Sequence, residues 1–252
     1  MHKEMSGYCS YYKIEEIRSD IMNNVTVEFF HDVICSFCFP MSYRMRQLQK
    51  MMPEAQIVHR SYALVKSERD FDEMFGSRAA AKNEILSHWE QANQNDDLHR
   101  FNISGMHKAE FPFPSSMKVL TACKAAYFTA SDAGYWDVFD ALQNALFVQN
   151  RNIEDPDIIN ECIRQSGIDL EKWEQHYSSG DTKDAVENDL ILAKQYGIEG
   201  VPCLIIDGKY RISGAQPLAQ IIQAIQGAAE NKEKTSSEGA ACRLDGGKIN
   251  CD

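Results

Sequence analysis

Cys35 and Cys38 stand two residues apart, with Ser36 and Phe37 between them. The run Val25–Phe30 just upstream alternates apolar and polar residues up to Phe29 and reads as a strand. Downstream, Met41, Met45, Leu48 and Met52 fall on one helical face, and Pro53 ends that pattern. A Cys-x-x-Cys between a strand and a helix start has a redox mechanism built into its position. The helix N-terminus offers unpaired N–H groups and a partial positive charge, and both favour thiolate over thiol at Cys35. The two-residue spacing brings Cys38 one turn away. Cys35 is therefore expected to be the exposed nucleophile and Cys38 the thiol that resolves a mixed disulfide. A Cys-x-x-Cys is also half of many zinc sites, which need two more ligands. Cys242 and Cys251 could supply them, but their spacing is not a usual finger pattern.

Several neighbouring residues could act on this pair. Ser36 and Phe37 carry no charge, and Phe37 offers an apolar surface to a substrate. His31 and Asp32 end the strand, where either could tune the thiolate or shuttle a proton to Cys38. The plainer expectation is a partly exposed His31, with Asp32 capping the turn. Pro40, lacking an N–H, is expected to loosen or kink the second turn of the helix.

The elements that position these residues follow from patterning. Gln56–Tyr62 is a second strand candidate, so the chain opens strand, helix, strand. Residues 68–180 are dominated by helical patterns, including Val138, Leu142, Ala145 and Leu146 on one face, and Asp155 with Pro156 as a helix start. Within them, residues 92–116 read as loop. Strand and helix patterning returns at Asp181, with a helix through Val186, Leu190 and Ala193 ending at Gly197. Leu204–Ile206, Asp207-Gly208 and Tyr210–Ile212 form a hairpin signal. Pro217 then opens a last helix carrying Leu218, Ile221, Ile222 and Ile225. The polar stretch 229–252, with Cys242 and Cys251, reads as a mobile tail.

Gly200-Val201-Pro202 precedes the hairpin. Together with Gly197-Ile198-Glu199, Ile206–Tyr210 and Ser213–Pro217, it resembles the C-terminal half of DsbA-like proteins of the FrnE subgroup. Val25–Phe30, Asp32 and Cys35–Cys38 resemble their N-terminal half, so the resemblance covers about residues 24–228. It implies an α/β, thioredoxin-like fold with a mixed central sheet, split by a large all-helical insertion. The implied segments are an N-terminal extension 1–23, a first half 24–67, the insertion 68–180, a second half 181–228 and the tail 229–252. It further implies thiol–disulfide exchange, with Cys35 and Cys38 as the redox pair. Pro202 would be a cis-proline facing that pair, and the Val201 backbone would pair with an extended substrate. Relatives with C-terminal cysteines suggest Cys242 and Cys251 as an auxiliary redox pair. Ser36-Phe37 departs from the Pro-Trp common in the subgroup, which puts the potential rather than the chemistry in doubt. Kappa-class glutathione transferases and related isomerases share the architecture, but their usual serine and missing resolving cysteine do not match this chain. A non-catalytic adaptor, redox sensor or zinc protein is the reading from another class.

Composition bounds the remainder. With 37 acidic and 26 basic residues the net charge is −11, which disfavours binding to phosphate backbones. No run reaches the roughly 18–20 apolar residues of a membrane span. Residues 1–21 are too charged for a signal peptide, and Met22 offers an alternative start. These features set a cytoplasmic expectation, where paired cysteines more often serve chemistry than structure. Cys123, Cys162 and the Met41-Met45-Met52 stripe are expected in the core, and Cys203 buried on the face opposite Val201 or in the core. The redox pair needs no metal or other cofactor, with glutathione as a candidate co-substrate. The expected partners are a protein or small-molecule thiol or disulfide substrate and a recycling thiol, with no nucleic acid and no membrane.

Overall fold

A computed structural model of the protein describes residues 25–237, 242–245 and 248–251, with side chains described through 231. Cys9 and the rest of the expected N-terminal extension lie outside the described residues. Four strands make the central sheet: β1 (Thr26–His31), β2 (Gln56–Ser61), β3 (Cys203–Ile206) and β4 (Tyr210–Ser213). Their order is β2-β1-β3-β4, with β1 parallel to β2 and antiparallel to β3, so the sheet is mixed. Helix α1 (Cys38–Met51) makes the crossover between β1 and β2, which a parallel pair requires. Met41, Met45, Leu48 and Met52 are all buried, so the stripe is core as expected.

The chain leaves the sheet after β2 and returns at β3. Between them lie α2 (Glu68–Phe75), α3 (Arg78–Asn95), α4 (Ile103–Lys108), α5 (Met117–Phe147), α6 (Pro156–Gln165), α7 (Leu170–Tyr177) and α8 (Gly180–Gln195). This is the α/β architecture with a helical insertion that the patterning implied. Asp155 caps α6 by accepting from the Asp157 N–H at 2.9 Å, with Pro156 at the first helical position. Asp207 and Gly208 both have positive φ, as a tight hairpin turn requires.

Two expectations about loops and tail need correction. Residues 92–116 are not all loop: α3 runs to Asn95, and α4 forms where Asn102 accepts from the Gly105 N–H at 3.0 Å. A six-residue helix is too short to show a period. The tail does not begin at 229, because α9 (Leu218–Ser237) continues through it and buries Ala228 and Ala229. Its Ala, Glu, Lys and Gln residues form helix readily however polar they are. Beyond α9, β5 (Cys242–Asp245) pairs antiparallel with β6 (Lys248–Cys251), which makes Cys242 and Cys251 register partners in the backbone.

One buried side chain ties α1 to the rest of the molecule. Arg44 is 4% exposed and makes a two-pronged contact with Asp97, at 2.9 and 3.0 Å. It also donates to Asn95 and to the carbonyls of Ala215 and Gln216. Replacing Arg44 with Met should lower the melting temperature by several degrees, because the carbonyls and carboxylate left behind lose a charge-assisted donor. A thermal melt followed by circular dichroism checks this, and Arg44→Lys should recover only part of the loss.

Candidate active site

β1 ends at His31, and the next residues turn tightly into α1. The Cys35 N–H donates to the Asp32 carbonyl at 3.2 Å, the Cys38 N–H to the Cys35 carbonyl at 3.1 Å and the Phe39 N–H to the Ser36 carbonyl at 3.2 Å. Cys38 is thus the first helical residue and Cys35 sits just before the N-terminus. Pro40 falls inside the first turn, where a missing N–H leaves nothing unpaired, so the expected kink does not occur. Phe39 is locked by a stack on Phe147, with ring centroids 5.2 Å apart, and by the Arg100 guanidinium 3.8 Å from its own centroid.

Both cysteines are thiols. Cys35, expected to be exposed, is only 5% exposed, and Cys38 is fully buried. The cover over Cys35 comes from the far end of the chain. The Val201–Pro202 peptide bond is cis, and the Cys35 thiol donates to the Val201 carbonyl at 3.4 Å. The structure therefore brings Cys35, Cys38, Val201 and Pro202 together. Burial pushes the Cys38 thiol well above its ordinary range, reinforced by the neighbouring Cys35 thiol, with the Asp32 charge adding to the effect. Cys38 is thus held protonated until something takes its proton.

Cys35 opens onto a cleft of about 250 Å³ whose walls are mainly apolar. Phe37, half-buried, forms one wall, with Leu64, Met74, Phe75, Ile85 and Phe113 around it. Ser36 and Val201 lie on its rim, and His88 is the ionisable lining residue besides Cys35. The contributions from α2 and α3 were missed in the sequence, because half-exposed apolar residues on a helix look like any core-facing stripe.

Behind the cysteines lies a buried polar layer. Asp32 is fully buried and does not simply cap the turn. Its carboxylate accepts from the Leu64 N–H at 2.7 Å, the Ser116 hydroxyl at 2.6 Å and the Ile34 N–H at 3.3 Å. Burial raises Asp32 to about 6, against the pull of these donors. His31, expected to be partly exposed, is also fully buried. It lies on the same face of β1 as Val27 and Phe29, which the alternation directs into the core. Its ring lies 4.1 Å from Phe139 and 4.5 Å from Phe29, and its Nε2 shares a hydrogen bond with His59 Nδ1 at 3.1 Å.

Both histidines are held neutral by burial, which brings His59 down to about 3 and lowers His31 in the same direction. Their folded values lie below the unfolded value near 6.5, so the unfolded chain binds more protons as pH falls. The stability they support is complete above about 6.5 and is lost as pH drops toward 3. His59 alone costs about 2 kcal/mol by pH 5, and His31 acts in the same direction. Asp32 acts oppositely between about 4 and 6, because it takes up its proton in the folded state first. With two histidines against one carboxyl, this cluster weakens the fold on acidification. Urea midpoints should fall from pH 7 to pH 5, and the fall should be smaller in His59→Phe.

Cys123 and Cys162 are buried core residues as expected. Cys203 is also buried in the core, packed with Phe30, Ala193, Ile198 and Ile205, as expected. Among the described residues, no three His, Cys, Asp or Glu side chains are grouped to hold a metal ion. No helix among them is long and apolar enough to cross a membrane.

Comparison with known proteins follows the geometry. Thiol:disulfide interchange protein DsbA of Pseudomonas aeruginosa is 31% identical over 75 residues, which is 30% of this chain and 36% of that protein. Its counterpart in Burkholderia cepacia is 30% identical over 78 residues, 31% and 37% of the two chains. The aligned part thus spans about a third of these relatives. Among solved structures, a probable DsbA oxidoreductase from Streptomyces coelicolor superposes with a TM-score of 0.59 at 19% identity, covering 91% of this chain and 99% of that one. The cytosolic disulfide reductase DsbM from Pseudomonas aeruginosa, solved with GSH, gives 0.61 at 12% identity, covering 84% and 99%. A 2-hydroxychromene-2-carboxylate isomerase gives 0.60 at 14%, covering 83% and 98%, so at this distance the likeness shows the fold alone. The family model of the DSBA-like thioredoxin domain matches residues 26–226, and the chain belongs to that family.

Proposed function

We propose that this protein catalyses thiol–disulfide exchange through Cys35 and Cys38, by way of a mixed disulfide on Cys35. The observation that carries the reading is the asymmetry of the pair: Cys35 faces an open cleft beneath the Val201 carbonyl, while Cys38 is sealed behind it. A substrate disulfide enters the cleft and Cys35 attacks one of its sulfurs, releasing the other as a thiol. Cys38 then attacks the Cys35 sulfur, the Cys35–substrate bond breaks, and the second substrate thiol leaves. The reverse sequence oxidises a substrate dithiol. Asp32 is the base that takes the Cys38 proton, since it is the buried carboxyl whose charge Cys38 feels. Ser36 holds the turn, and the neutral His31–His59 pair keeps the layer behind Asp32 uncharged.

The substrate class follows from the walls. Phe37, Leu64, Met74 and Phe113 favour a cysteine flanked by apolar groups, on a polypeptide whose backbone lies along Val201. Glutathione carries two carboxylates, for which the cleft supplies no Lys or Arg among its lining residues. It fits the role of recycling thiol better than that of principal substrate. A cytoplasmic setting, with a glutathione poise of about −220 to −320 mV, would make reduction or isomerisation the natural direction. Cys242 and Cys251, register partners across β5 and β6, serve as an auxiliary dithiol that exchanges with the main pair.

A glutathione redox titration with thiol trapping and mass spectrometry tests the reading. The expected result is one two-electron transition for Cys35–Cys38, with Cys35 the first thiol alkylated. It should persist in Cys242→Ser/Cys251→Ser, whose own effect should be confined to the recycling rate. If Cys35 and Cys38 never bond to each other, exchange catalysis is excluded and a sensor or adaptor role takes its place.

A further inference from the structure

Ser116 lies far from the cysteines in sequence, yet it is fully buried against the redox layer, immediately before α5. Its hydroxyl donates to Asp32 Oδ2 at 2.6 Å and accepts from the Val65 N–H at 3.0 Å. Its own N–H donates to the Val65 carbonyl at 2.8 Å, so the residue is gripped from both sides. The Leu64 N–H adds a second short bond to the same Asp32 oxygen, at 2.7 Å. Oδ2 thus carries two short hydrogen bonds, while the carboxylate also takes a longer one at Oδ1 from the Ile34 N–H at 3.3 Å and a further contribution from the Val33 N–H.

We propose that Ser116 is a positioning residue for exchange: its hydroxyl holds and orients the Asp32 carboxylate that receives the Cys38 proton when Cys38 resolves the mixed disulfide. The proposal rests on the exchange reading above. In the step, the Cys38 S–H bond breaks and its proton passes to Asp32. The Cys38 thiolate forms the bond to Cys35 as the Cys35–substrate bond breaks. The substrate leaves as a thiolate and is protonated from solvent. The protein dithiol is oxidised by two electrons and the substrate disulfide is reduced by the same two.

The same hydroxyl reaches the substrate side. Leu64 and Val65 both line the cleft, and their N–H groups are the ones bonded to Asp32 and Ser116. The wall that a substrate touches and the carboxylate that receives the proton are held by one side chain. The titratable groups that feel the Asp32 charge are Cys38 on α1, Tyr62 just beyond β2, and Cys123 and Tyr135 on α5, with His31 beside it at the end of β1.

Removing a donor from an ionised carboxylate raises its pKa, by about one unit for a strong charge-assisted bond. The test is single-turnover decay of a mixed disulfide. Reduced protein is loaded with an activated disulfide of a short peptide bearing a leucine beside its cysteine, and peptide release is timed from pH 4.5 to 8.5. In the wild type the rate should rise through an inflection near 6, where Asp32 ionises. In Ser116→Ala the inflection should move up by about one unit, with a rate at pH 6 about fivefold lower, and Ser116→Thr should restore it. Ser116→Cys, which keeps the volume with a weaker donor, should give an intermediate shift and replaces the alanine variant if that fails to fold. Profiles of Ser116→Ala and Ser116→Cys that overlay the wild type would overturn the role of Ser116 while leaving exchange intact. Failure of every variant and the wild type to form a mixed disulfide would overturn the exchange reading, and this role with it.

Discussion

Cys38→Ser is expected to stop the protein as a stable, stoichiometric covalent adduct with its substrate, joined through Cys35. The first half of the reaction needs only the Cys35 sulfur, which opens onto the cleft. The second half needs a sulfur behind it, and a serine hydroxyl cannot expel a thiolate from a disulfide. Cys35→Ser should behave oppositely. It leaves a fully buried Cys38 that burial keeps protonated, so no adduct forms and turnover falls to the uncatalysed rate. Non-reducing gels and intact-mass measurement distinguish the two. An isomerase working without a resolving thiol would keep its activity in Cys38→Ser, and that result would remove the exchange mechanism. The double variant should match Cys35→Ser, since the second cysteine acts only after the first.

The largest stability effect should come from Asp189→Ala, in a buried ion cluster beside β2. Asp189 on α8 is 3% exposed and accepts from the Lys124 ammonium at 2.5 Å and the Ser61 N–H at 2.9 Å. Arg60, which also pairs with Glu28, reaches it at 3.3 Å. Truncating Asp189 leaves Lys124, itself 7% exposed, as a buried charge with its partner gone, and leaves the last amide of β2 unpaired. Breaking such a pair from one side costs about 3–5 kcal/mol, or roughly 10 °C in melting temperature for a chain of this size. Adding Lys124→Met to Asp189→Ala should recover a good part of that loss, because the uncompensated charge disappears. A melt of Asp189→Ala within about 2 °C of the wild type would show that water replaces the carboxylate, and the network would then count as surface-like.

Much of the site was legible because chemistry-bearing residues sat next to local signals. The cysteine pair stood between a clear alternating strand and a clear helical face, and Asp207-Gly208 marked the hairpin that follows Pro202. What stayed hidden depended on packing between distant segments. Nothing local distinguishes Ser116 from the other serines of a loop, since its role exists only once β2 lies beside it. His31 shares the face of β1 that carries Val27 and Phe29, so the alternation itself points it to the core, and only its polar side chain suggested exposure. The cleft walls on α2 and α3 carry no mark of their own, because exposure of Met74 and Leu64 depends on where the insertion settles. At the C-terminal end of α9, from residue 229, low apolar content hides a helix, because helix propensity follows side-chain entropy more than polarity.

The hydrogen bond from Cys35 to the Val201 carbonyl joins residues 166 positions apart, and this dictates when the active site comes into being. During synthesis at about 5–20 residues per second, roughly ten to thirty seconds pass between the emergence of the cysteine pair and that of the loop that covers it. Throughout that interval the two thiols travel on a nascent chain without the carbonyl, the cleft rim or the burial that sets one sulfur apart from the other. They are then ordinary cysteines, open to any passing disulfide. Arg44 waits in the same way for the carbonyls of residues 215 and 216. Distance along the chain thus acts as a timer, and the pair gains its cover only after residue 201 has emerged.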